Sequence, residues 1–148
     1  MATVEVTFTP LPAHVRTARL VATAVARRSG VDEALLDEVR LAVGEACSRA
    51  VEAHRRHCPG EPVKIEMTDQ GERFVVVVSD QAPTSNAALH GAGANGHGVA
   101  TLVQGTDDAI PAGFGLAVIS GLADEVHVSS TSSGVSVRMS WPSATAVG

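Results

Sequence analysis

Val4, Val6 and Phe8 alternate with Glu5 and Thr7, the period of a strand with one buried face, and predict a strand over 3–8. Pro10 and Pro12 interrupt it. From 13 to 28 the apolar positions become Val15, Ala18, Ala22 and Val25, a helical spacing, and Gly30 stands where a C-cap belongs. A longer periodic stretch runs from 32 to 57. There Val39, Val43, Ala46 and Ala50 recur at i, i+4, i+7 and i+11, so they form one buried stripe on a long helix. Asp32 or a neighbour caps its start, and Pro59-Gly60 ends it.

Two strands follow, 63–68 and 73–79, joined by a turn at Gln70-Gly71-Glu72. The unbroken run Phe74-Val75-Val76-Val77-Val78 reads as a strand covered on both faces and predicts the centre of the sheet. Beyond Asp80 the pattern stops. Residues 81–112 hold Pro83, Pro111 and several glycines with no persistent period, which predicts a flexible, lid-like loop. The stretch 113–126 starts as a glycine turn, becomes a short helix through Leu116, Val118 and Ile119, and enters a strand. Residues 126–130 and 135–141 then form a last hairpin around Ser132-Ser133-Gly134, and a frayed tail begins at Pro142. Strand, two helices, two strands, loop, short helix and two strands predict an α/β two-layer sandwich. Its sheet is mostly antiparallel, with the helices on one face.

Composition narrows the picture. The 148 residues suit one domain, spanning 1–148, and with 45% hydrophobic but only 3% aromatic residues the core must be built from Val, Ala, Leu and Ile. A net charge of -5 argues against a general nucleic-acid binder, which needs a clustered basic excess. No signal peptide or membrane span is expected. Cys47 and Cys58 make no disulfide framework, and a reduced cytoplasm suits them.

The candidate chemistry lies on the helices. Glu45 and Arg49 share a face roughly 80° to 120° from the buried stripe, where a side chain reaches into a cleft from a rigid backbone. Their i, i+4 spacing predicts a helix-face ion pair worth about 0.2 to 0.5 kcal/mol if exposed. On the first helix Arg16, Arg19, Thr23 and Arg27 form a basic stripe that reads either as a solvated face or as a partner-binding face. Cys47, His54 and Cys58 also share a face, but eleven helical residues span about 16 Å. One zinc sphere, with bonds of about 2 to 2.3 Å, cannot collect all three. Half-buried cysteines and surface histidines are expected instead.

Three motifs together resemble the small serine-kinase anti-sigma factors with the GHKL, or Bergerat, histidine-kinase-like ATPase fold. They are Glu45-Ala46-Cys47-Ser48-Arg49-Ala50 on the long helix, Val77-Val78-Ser79-Asp80 at a strand end, and Gly113-Phe114-Gly115-Leu116 after the loop. The family patterns are E-A-x-x-N-A, a strand ending in D-x-G, and G-x-G-L at a helix start behind an ATP lid. By that resemblance Glu45 is the general base of serine phosphorylation. Asp80 accepts a hydrogen bond from the adenine amino group. Gly113, Gly115 and Leu116 form the turn whose backbone amides approach phosphates at a helix N-terminus.

Three positions depart from the pattern. Arg49 replaces the asparagine that holds magnesium, and a guanidinium, having donors and no acceptor, cannot be a ligand. Asp80-Gln81-Ala82 lacks the motif glycine, and Gly134-Val135 stands where a Gly-Thr is expected, losing a hydroxyl near adenine. Arg49 then either fills an abandoned magnesium site or binds phosphate oxygens without a metal. The resemblance implies an anti-sigma factor that sequesters an RNA polymerase sigma factor and is released by an anti-anti-sigma protein. ATP or ADP is the implied ligand, Mg2+ is disfavoured by Arg49, and kinase activity is expected to be weak or lost. The alternative is an active serine kinase acting on the anti-anti-sigma (STAS) partner. The basic stripe is the expected partner surface, the edge strand 3–8 offers a route to a homodimer, and neither nucleic acid nor membrane is an expected partner.

Overall fold

The computed structural model describes residues 2–82 and 118–143. Its elements are β1 (Ala2–Phe8), α1 (Pro12–Arg28), α2 (Glu33–His57), β2 (Val63–Asp69), β3 (Arg73–Ser79), β4 (Glu125–Thr131) and β5 (Gly134–Pro142). A short helical turn over 118–122 precedes β4. The strands form one sheet in the order β1-β2-β3-β5-β4, and every neighbouring pair is antiparallel. Helix α2 lies on one face of this sheet, and α1 packs against α2. The architecture is the expected two-layer α/β sandwich of the Bergerat fold.

Local chemistry sets the boundaries. Pro12 begins α1 at the one position where its missing N–H costs nothing. At the far end Gly30 has φ +92°, a left-handed conformation that glycine adopts without strain. It lets Val31 N–H reach Ala26 O at 3.0 Å and Gly30 N–H reach Arg27 O at 3.2 Å, the paired bonds of a Schellman cap. The Asp32 carboxylate accepts from Ala34 N–H at 2.8 Å and caps α2. Between β2 and β3, Gly71 has φ +92° and donates to the Asp69 carboxylate at 2.9 Å.

The core forms where the stripes meet. Val39, Val43, Ala46 and Ala50 of α2 are all buried against the inner face of the sheet, including Ile65, Phe74, Val76, Val137, Met139 and Trp141. β3 is the central strand, as its valine run predicts. That run is not sandwiched between two layers, however. Among the described residues no helix or strand packs on the outer face, and Val77 is only half-buried. Val75 is buried by outer-face side chains: Thr68 and Ser140 flank it, and Arg73 reaches Ser140 Oγ at 2.7 Å.

The chain end also differs from expectation. Pro142 closes β5, and Ser143 is buried, its N–H donating to Glu72 O at 2.9 Å. Most of the expected loop, beyond Ala82, lies outside the described residues, as does the tail beyond Ser143.

Candidate functional site

α2 carries Glu45 and Arg49 along one edge, and the end of β3 delivers Asp80 to Arg49. Arg49 does not pair with Glu45. Its guanidinium reaches across to the Asp80 carboxylate, 31 residues away in the chain, and the two side chains are 10% and 1% exposed. This corrects the expected i, i+4 pair. A buried carboxylate is a stronger partner than a half-exposed one, because little water competes for the charge.

Asp80 is held on three sides. Arg49 Nη2 donates to Oδ2, while Oδ1 accepts from Ala82 N–H and Val135 N–H, each at 3.1 Å. Asp80 N–H in turn donates to Val135 O at 2.9 Å. A carboxylate has about four acceptor sites. Three are used by donors among the described residues. The two altered motifs thus become parts of this cradle: Ala82 and Val135 contribute backbone N–H groups where family members carry a glycine and a threonine.

Gly134 permits the close approach. A Cβ placed there would lie 2.0 Å from Asp80 O, a backbone atom that cannot swing aside. Beside it a cavity of about 470 Å³ is walled by Gln81, Ser129, Thr131, Ser133 and Ser136. Ser129 and Ser136, cross-strand partners, line it together with Asp80, so the recess adjoins the cradle.

Glu45 is half-buried and has no hydrogen-bond or ion-pair partner among the described residues. On α1, Arg16 is exposed and Arg27 pairs with Glu33 at 3.2 Å. Thr23 Oγ1 donates to Arg19 O at 2.7 Å, and the aliphatic stem of Arg19 lies over Gly44 of α2. Arg19 is thereby partly a packing residue. Burial pushes the Cys47 thiol up to about 12 against the opposing pull of Arg19, which makes it inert at neutral pH. Gly113, Gly115 and Leu116 lie outside the described residues.

One contributor was missed in the sequence. His54, expected on the surface, is fully buried near the base of this site. Its Nδ1 lies 2.8 Å from Glu61 O, and its Nε2 accepts from Gln81 N–H at 2.8 Å. The available signal was its place at i+4 from Ala50, which continues the buried stripe.

The sequence matches that of the histidine kinase-like ATPase domain over residues 8–141. The chain belongs to that family. Its fold is shared with the crystal structure of the RsbU and RsbW domains of Rv1364c from Mycobacterium tuberculosis, with a TM-score of 0.66 and 15% sequence identity. The overlap covers 99% of this chain but 33% of that one, so the present chain spans about a third of its length. No curated protein matches the chain by sequence. Within that family fold, the Arg49–Asp80 pair places an internal cation on the carboxylate at the end of β3.

Proposed function

We propose that this chain is an anti-sigma-type binding module that sequesters an RNA polymerase sigma factor and is released by an anti-anti-sigma partner. Its grip on nucleotide is weak or absent. The observation that carries this reading is the buried Arg49–Asp80 pair. Arg49 supplies positive charge where the family holds magnesium, and it occupies the carboxylate that would receive adenine. With no acceptor on its guanidinium, it cannot itself ligate a metal. Phosphoryl transfer depends on metal neutralisation of the developing charge, so a site closed in this way is poorly suited to catalysis. Helix α1 supports the binding role: Arg16, Arg19, Arg27 and Arg28 lie on a helix with no acidic residue, in a chain of net charge -5. That polarity suits an acidic partner surface.

A second reading, an active serine kinase acting on an anti-anti-sigma (STAS) protein, is favoured by one feature. Glu45 is half-exposed and has no partner among the described residues, which suits a general base. Incubation with ATP, magnesium and candidate partners separates the two. Capture of a sigma factor without phosphate transfer supports the binding module, whereas transfer abolished by Glu45→Ala supports the kinase. In either reading the domain acts among proteins. No helix among the described residues is long and apolar enough to cross a membrane.

A further inference from the structure

His54 is the buried residue that the site's chemistry leaves unexplained. A carbonyl oxygen only accepts and a backbone N–H only donates, so its two contacts fix the ring's state. Nδ1 carries the hydrogen that goes to Glu61 O, and Nε2 presents a lone pair to Gln81 N–H. Only the neutral Nδ1–H tautomer satisfies both bonds. The ring thereby ties the exit of β3 to the connection between α2 and β2, and the Gln81 side chain repeats the tie through Pro62 O at 3.3 Å.

We propose that His54 is a positioning residue for the Asp80 cradle, and that its protonation releases Gln81 and loosens the hold on Asp80. Gln81 stands between Asp80 and Ala82, whose N–H is one of the two backbone donors to Asp80 Oδ1. An added proton on Nε2 sets N–H against N–H at a contact of 2.8 Å, and Gln81 has to move. Among the described residues, the titratable and charged groups on the elements that meet at the ring are Cys58 one turn further along, Glu61 on the connection, Asp80 at the β3 exit, and Arg49 paired with it. Burial, then Asp80, then Glu61 push the Cys58 thiol up. Arg49 already answers Asp80, so no carboxylate among the described residues is bonded to the ring to welcome an imidazolium.

The inference rests on Asp80 as the base of the candidate site, and not on the identity of any partner. Nitrogen-15 spectra of the imidazoles and the amide shifts of Gln81 and Ala82, followed from about pH 8 to about pH 5, test it directly. In the native chain the expected result is a protonated Nδ1 and bare Nε2 at the alkaline end. The Gln81 and Ala82 amides should then move together with the ring, and the protection of the Gln81 amide, corrected for the intrinsic pH dependence of exchange, should fall about tenfold, the equivalent of one hydrogen bond. In His54→Gln, which keeps an acceptor that does not titrate, those amides should stay flat. A proton on Nε2 at the alkaline end, a ring that stays neutral across the whole range, or Gln81 and Ala82 amides indifferent to its protonation, overturns the proposal. If His54→Gln does not fold, the native tautomer and co-titration decide alone. None of these readouts depends on sigma capture or nucleotide binding, so failure of the functional reading remains distinguishable.

Discussion

At Arg49 a guanidinium stands where the motif resemblance led one to expect an asparagine, and its charge is answered by Asp80 from the sheet rather than by Glu45 one turn away. The spacing along α2 was visible in the sequence, but the pairing was not. An i, i+4 rule ranks neighbours on one helix and knows nothing of a strand end delivered from 31 residues further on. Both side chains are nearly buried, so breaking the pair leaves an uncompensated charge. Asp80→Asn keeps the acceptor for Ala82 and Val135 but strands the guanidinium, and should cost about 3 to 5 kcal/mol in urea unfolding. Adding Arg49→Met to that variant should recover most of the loss. The cysteines give a second check at this scale. A thiol pushed up to about 12 has a thiolate fraction of roughly one in ten thousand at pH 8. Mass spectrometry after iodoacetamide treatment should therefore find Cys47 unmodified until the chain unfolds, while the half-exposed Cys58 reacts in the native state.

At the scale of elements, periodicity located the helices and all five strands, with boundaries shifted by a residue or so. Val39, Val43, Ala46 and Ala50 are buried as their spacing requires. The misjudged element was the outer face of β3, because a continuous valine run signals burial without saying whether another layer or neighbouring side chains supply it. His54 was misplaced for a related reason: a titratable residue is assigned to the surface by default, and only the tertiary arrangement of Glu61 and Gln81 supplies its two partners. Helix α1 yields the prediction that belongs here. Arg16 is exposed, whereas the stem of Arg19 fills the space above Gly44. Arg16→Glu should weaken sigma-factor capture by about tenfold with stability unchanged within about 0.5 kcal/mol. Arg19→Glu should lower both, because it also removes helix–helix packing. Affinity unchanged in Arg16→Glu, measured by calorimetry beside a thermal melt, removes this stripe as the docking surface.

For the whole molecule, the sequence order of elements was sufficient to reach the two-layer fold, and three motifs placed on those elements carried the resemblance to the histidine kinase-like ATPase family. What it left undetermined was whether the altered motifs form a damaged site or a rebuilt one. The structure has Arg49, Ala82 and Val135 converging on one carboxylate, a geometry that no single motif contains. The central claim is that this internal pair takes the place of magnesium nucleotide, and calorimetric titration of ATP and ADP, with and without magnesium, tests it most directly. The account predicts no measurable heat from the native chain and magnesium-dependent binding recovered, at least in part, by Arg49→Asn. Nucleotide binding by the native chain that strengthens with magnesium would contradict it and return the kinase reading to first place.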